Sequence, residues 1–204
     1  NPQRMKNIVI DISNIALESK ERTPYWGRLP GSPEDKKTMD YIENKLLDLG
    51  FSIEKKDIYI KKEWRPTKWS LGYEFNNEFH SIVSAFPTGE NIKHLNSTIK
   101  TELIWVGLGS EADFMGKDIK GKAVLIYSFF VPGGRSHSAS NRAELFYANE
   151  RASEKGASLI INIMGVPGDG MFAGGAFHGT SGKPTTSYNA PIITISQDEG
   201  FLLR

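Results

Sequence analysis

The stretch Lys117-Asp118-Ile119-Lys120-Gly121-Lys122-Ala123-Val124-Leu125-Ile126 sets a charged segment and a glycine directly before an unbroken apolar run. That run has the length and composition of a buried strand. Upstream, Leu103-Ile104-Trp105-Val106-Gly107 is a second apolar run of strand length, and downstream Ser158-Leu159-Ile160-Ile161-Asn162-Ile163-Met164 is a third. Between the last two, residues 139–155 read as a helix, with Leu145, Ala148 and Ala152 spaced to one face and Glu144, Asn149 and Glu150 elsewhere. Gly156 stops that helix, and the immediate reversal into Ser158 predicts a positive backbone angle there. Strands this apolar, joined by a helical crossover, lie parallel and are covered on at least one face.

A chain of 204 residues, 39% hydrophobic, is long enough for one large domain or two small ones with a real core. Its 25 basic and 24 acidic residues leave a net charge of +1, so no global field draws it to nucleic acid or an anionic membrane. The absence of cysteine excludes disulfides, thiolate nucleophiles and cysteine-ligated metal. No apolar run approaches the roughly 20 residues of a membrane span, and Asn1-Pro2-Gln3-Arg4 has no signal-peptide character.

The first third reads differently. Residues 7–19 fit a helix face through Ile8, Ile12 and Ile15 but also alternate through Ile8, Ile10 and Ile12; helix is the favoured reading. The turn Arg28-Leu29-Pro30-Gly31 feeds a well-punctuated helix: Ser32 caps it, Pro33 suits the first position, and Glu34 and Asp35 favour the positive end of the dipole. Met39, Ile42, Leu46 and Leu49 form its apolar stripe, and Gly50 ends it. Phe51, Ile53, Ile58 and Ile60 predict an extended segment over 51–60. Trp69, Leu71, Tyr73 and Phe75 alternate before Asn76-Asn77, a hairpin turn into 78–86. Pro87-Thr88-Gly89-Glu90 is the expected boundary, giving domains of residues 1–88 and 89–204.

Two resemblances follow. Val106-Gly107-Leu108-Gly109, Ala112-Asp113-Phe114, the run Asp118–Ile126, Lys155-Gly156-Ala157 and Pro191-Ile192-Ile193-Thr194-Ile195-Ser196 together resemble a protease-associated (PA) domain. The order "R-L-P-G-S-P", a capped helix ending in "L-L-D-L-G-F", then amphipathic strands, resembles the opening of the two-zinc aminopeptidase family, many of whose members carry an inserted PA domain. These resemblances imply an α/β (α+β) fold: a PA-type open β-sandwich or barrel with flanking helices, preceded by a helix and antiparallel strands from the start of a zinc-exopeptidase fold. They also imply an extracytoplasmic protein, its signal peptide absent from this numbering.

The family's zinc ligands begin with a His-x-Asp motif beyond the inserted domain. Here His80, His94, His137 and His178 each lack an Asp two residues on, and none forms a close ligand pair. The expectation is therefore no catalytic residue, metal or cofactor in this chain, with zinc in a longer parent whose catalytic lobe resumes beyond Arg204. Gly168-Asp169-Gly170-Met171-Phe172-Ala173 matches G-x-G-x-x-A, but the glycines that follow start no helix to hold a pyrophosphate, so the match is accidental. Ser136-His137-Ser138 is a polar loop, since adjacent residues do not generally bond as a triad does. Trp64, Trp69, Tyr73 and Phe75 lack the basic groove of a stacking surface and read as packing.

The PA resemblance implies that the loop after the strand at 121–128 faces the catalytic lobe, where the Arg135 guanidinium fork suits a substrate carboxylate. Arg135, His137, Phe172 and His178 are the substrate-facing candidates, and residues 166–186, rich in glycine, are expected to form a mobile flap. The functional expectation is a non-catalytic portion of a zinc aminopeptidase or carboxypeptidase that covers the active-site cleft and shares peptide substrate with the missing lobe. The alternative is a stand-alone PA-type module that binds peptide or protein. Strands deprived of neighbours also predict self-association as a homo-oligomer.

Overall fold

Ser32 and Gly50 act as the sequence requires. The helix α2, Pro33–Leu47, starts with the Ser32 hydroxyl accepting the Asp35 N–H at 3.1 Å. It closes with Gly50 at φ +84° and the Phe51 N–H on the Leu46 carbonyl at 3.1 Å, the left-handed glycine exit. Before it, α1 spans Pro2–Leu17, capped by the Asn1 side chain, so the ambiguous 7–19 segment is helical as far as Leu17. The computed structural model describes residues 1–22, 27–58, 68–87, 98–128, 147–165, 167–169 and 189–204.

The chain divides into two compact units, Asn1–Glu63 and Trp64–Arg204. In the first, α1 and α2 meet through polar contacts. Tyr41 donates to Asp11 at 2.7 Å, and Arg22 with Glu34 and Lys37 with Glu18 form ion pairs. Ser19 is buried, its hydroxyl accepting the Gly27 N–H at 2.7 Å. The side of α2 that is buried holds Glu34 and Thr38, while the expected stripe of Met39, Ile42, Leu46 and Leu49 is exposed. The expected strand over 51–60 is likewise absent from its described part: residues 51–58 join no ladder, because no strand is described in this unit for them to pair with. Phe51 and Ile58 are exposed accordingly.

The second unit contains a hairpin, a mixed sheet and three short helices among its described residues. β1, Gly72–Phe75, pairs antiparallel with β2, Glu78–Ser81, across Asn76 and Asn77, whose φ values of 51° and 64° are those of a type I′ turn. The five-stranded sheet comprises β3 Phe86–Pro87, β4 Leu103–Trp105, β5 Ala123–Tyr127, β6 Leu159–Ile163 and β7 Ile192–Ile195, ordered β3-β7-β6-β5-β4. β4 through β7 run parallel and β3 antiparallel to β7. The helices are α3 Glu111–Phe114, α4 Ala148–Glu154 and α5 Gln197–Leu202.

Both faces of this sheet are covered, which is why its strands are almost wholly apolar, Asn162 and Thr194 excepted. Val124, Ile126, Ile160 and Ile192 pack under Phe114 of α3 and Ala148 and Ala152 of α4. Leu125, Ile161, Ile163 and Ile195 pack against Ile82, Ala85, Leu71 and Tyr73 on the other side. Hence the stretch before residue 88 contributes to this core. Trp69 does so by donating its indole N–H to the Ala85 carbonyl at 2.7 Å and meeting Phe86 edge-on at 5.2 Å, whereas Phe75, expected to pack, is exposed at the hairpin tip. Of the helix expected over 139–155, α4 is the described part; residues 139–146 lie outside the described residues. Gly156 has φ +85°.

Candidate functional site

Parallel strands put their carboxyl ends on one edge, and in open α/β sheets ligands bind there. Tyr127 ends β5 level with Ile163 of β6, which is level with Ile195 of β7. Neighbouring strands lie about 4.8 Å apart, so the chain leaves this edge at Ser128, Met164 and Ser196 as three adjacent exits. The segment carrying Arg135 and His137 departs from the first exit, and that carrying Phe172 and His178 from the second. Arg135, His137, Phe172 and His178 themselves lie outside the described residues, as do Ser136, Ser138, the glycine pattern beyond Asp169, and the expected flap apart from 167–169.

What is described at this edge is a fastening of hydroxyls and carboxylates. Glu199 accepts the N–H groups of Val83 and Ser84, each at 2.8 Å, and the Ser84 hydroxyl. The Ser84 oxygen in turn accepts the Ser196 N–H at 2.8 Å. Ser196 caps α5 by accepting the Glu199 N–H at 3.3 Å and donates its hydroxyl to Asp169 at 3.1 Å. Thus the turn after β2, the end of β7, the start of α5 and the base of the segment after β6 meet at one network. Beside it, Gln197 donates to the Tyr127 hydroxyl at 3.2 Å, and the Tyr127 and Phe201 rings lie 5.6 Å apart.

Burial opposes ionisation of Glu199, but the Ser84 hydroxyl and the Val83 and Ser84 amides outweigh it and hold its pKa below the ordinary carboxylate value. A carboxylate held ionised by three donors is a poor proton acceptor, and the Ser84 hydroxyl beside it is buried. This pair fastens the edge and is not a nucleophile with its base. The network escaped the sequence reading although a signal existed. Ser196-Gln197-Asp198-Glu199 has the capping-box pattern. Ser110-Glu111-Ala112-Asp113 closes such a box, whereas Glu199 is diverted to the turn at Val83 and Ser84, which leaves the Ser196 N–H to Ser84.

Among the described residues no group of three or more His, Asp or Glu side chains converges to hold a metal. His80, the histidine that is described, stacks on Tyr73 at 5.0 Å. No helix among the described residues is long and apolar enough to cross a membrane.

Solved structures similar in fold include the aminopeptidase from Aneurinibacillus sp. strain AM-1, 23% identical with a TM-score of 0.50, over 97% of this chain and 39% of that one. The zinc aminopeptidase from Bacillus subtilis is 19% identical with a TM-score of 0.51, over 94% of this chain and 40% of its own. The peptidase M28 precursor from Shewanella amazonensis SB2B is 20% identical with a TM-score of 0.59, over 94% and 42%. The chain therefore spans about two fifths of the length of these structures, and it shares their mixed α/β fold. No family model and no curated protein matches the sequence.

Proposed function

We propose that these 204 residues are a non-catalytic portion of a zinc-dependent exopeptidase. The sheet unit acts as a PA-type cover over a cleft formed with polypeptide outside this sequence. The observation that carries the proposal is the extent of the likeness: it runs through 94–97% of this chain, hence through both units, yet takes in only 39–42% of each neighbour. Two of those neighbours are aminopeptidases by name and one of the two a zinc enzyme, which supports a metallopeptidase parent.

In this proposal the carboxyl edge of β5 and β6 faces substrate. Arg135, His137, Phe172 and His178 belong to the stretches of sequence that follow those strands, and Arg135 is the residue proposed to pair with a peptide carboxylate. The serine and carboxylate network at Ser84, Ser196, Glu199 and Asp169 holds the base of that edge in place. Zinc would be held by polypeptide outside these residues and would supply an activated water and Lewis acidity. The protein works in an extracytoplasmic compartment.

One observation favours the stand-alone binding module: the described core residues on both faces of the sheet all belong to Trp64–Arg204. Aminoacyl and carboxypeptidase substrates distinguish the two. A chain continued through its own downstream reading frame is expected to turn them over with zinc, and Arg135→Ala in that chain to raise KM about tenfold or more, the scale of a lost charged contact. A folded longer chain without turnover would leave the binding module.

A further inference from the structure

β4 is a margin of the five-stranded sheet, with β5 beside it and no further strand among the described residues. The Val106 N–H bonds the Leu125 carbonyl at 3.0 Å, and the Ala123 N–H bonds the Glu102 carbonyl at 2.9 Å. Residues 102 and 106 thus turn backbone groups toward β5, and by the alternation of a ladder Leu103 and Trp105 turn theirs outward. An outward row of this kind is a template on which another chain can add a strand.

The row is closed at one end. Lys117 donates its ammonium to the Trp105 carbonyl at 2.7 Å. The turn that ends α3 delivers it there: the Lys117 N–H bonds the carbonyl of the buried Phe114 at 3.2 Å, and Gly116 takes φ +72° between them. Arg204 sets a second cation on the same residue, its guanidinium 5.4 Å from the Trp105 ring centroid. A lysine at a sheet margin opposes pairing by occupying an acceptor and by placing a charge where a strand would lie.

Pairing with a second copy has a register that uses these outward groups. In an antiparallel pair about a two-fold axis at Leu103, Leu103 faces its own copy and Trp105 faces Thr101 of the other. The Trp105 carbonyl then accepts the Thr101 N–H, so Lys117 has to leave that carbonyl in both copies, each departure breaking a charge-assisted hydrogen bond. We propose that Lys117 is the residue that keeps the β4 margin from pairing with a second copy of this chain. The self-association expected of unpaired strands is thereby opposed at this margin, whichever reading of function holds.

The chain contains no cysteine, so one introduced thiol reports one contact. Leu103→Cys puts it at the two-fold position, where hydrogen-bonded partners have Cα atoms about 5.5 Å apart, within disulfide reach. It is made alone, with Lys117→Met, which removes the donor and the charge, and with Lys117→Arg, which keeps both. Glu78→Cys with Lys117→Met, at the exposed start of β2, reports association elsewhere. Circular dichroism compares the fold of every variant.

In a glutathione redox buffer, Leu103→Cys with Lys117→Met is expected to give at least about tenfold more disulfide-linked dimer than Leu103→Cys alone, the difference a single hydrogen bond can make. Lys117→Arg is expected to hold Leu103→Cys at the level seen with Lys117, and the Glu78→Cys variant to stay unlinked. Lys117→Met without any cysteine is expected to sediment as a dimer at concentrations where Lys117→Arg sediments as the parent does. Equal cross-linking with Lys117 present and replaced, linkage through Glu78→Cys as ready as through Leu103→Cys, or Lys117→Arg behaving as Lys117→Met would each overturn the proposal. If Leu103→Cys unfolds the chain, sedimentation decides alone, and Lys117→Met no more associated than the parent overturns it.

Discussion

Gly156 shows what one residue can fix in advance. Its N–H reaches the Ser153 carbonyl at 3.1 Å and the Ala157 N–H reaches Ala152 at 3.0 Å, the paired bonds of a left-handed helix exit. A side chain there would meet both the positive φ and the Lys120 side chain, 3.3 Å from an added Cβ. Gly156→Val is expected to lower unfolding free energy by on the order of 1 kcal/mol or more in urea melts. Glu199 yields a pH prediction. Its folded pKa lies below its unfolded one, so its contribution is complete above an unfolded value of about 4.3 and is lost as pH falls through the lower, folded value. Glu199→Gln is expected to cost roughly 2 kcal/mol at pH 7, with the gap from wild type narrowing below about pH 4.5; a gap constant down to pH 3 would mean the carboxylate charge does not matter. Asp113 titrates in the same sense: burial opposes its charge, but the Ser110 amide and hydroxyl hold its pKa low. Gly156 was legible because its demand is local, whereas the partners of Glu199 lie 115 and 116 residues away and no local pattern announces them.

Elements were legible where the described residues supply their neighbours. The strands of the central sheet and the Asn76-Asn77 hairpin form as their apolar runs and turn residues require, because both sheet faces find cover nearby. α2 forms where its caps dictate but turns Glu34 and Thr38 inward in place of its apolar stripe, and residues 51–58 join no ladder. Propensity and capping are satisfied within the element, while burial needs a partner surface. The carboxyl edge of the sheet was legible as a place and not as a site, since Arg135, His137, Phe172 and His178 lie outside the described residues. α5 supplies the test of packing at this scale. It crosses β6 so closely that a Cβ on Gly200 would lie 2.5 Å from the buried Ile163 side chain. Gly200→Ala is expected to destabilise the second unit by about 1–3 kcal/mol through overpacking, despite alanine's better helix propensity. Thermal melts that show no loss would mean α5 lifts away freely.

At the scale of the molecule, one unit is a sheet with a core on both faces, and the other is helical, its described residues burying no apolar side chain. The fold likeness covers nearly all of this chain and about two fifths of each neighbour. Together these motivate the central claim, that the chemistry belongs to a longer polypeptide whose cleft these residues shape. Two co-catalytic zinc ions need several converging ligands and a carboxylate base, and the His-x-Asp start of such a set does not occur between Asn1 and Arg204. The most direct measurement is the zinc content of each purified protein after dialysis against a weak chelator, by elemental analysis. The account predicts no retained zinc in the 204-residue chain and about two ions per molecule, the co-catalytic number, in the chain continued through its downstream frame. Two tightly held zinc ions in the 204-residue chain itself would contradict it.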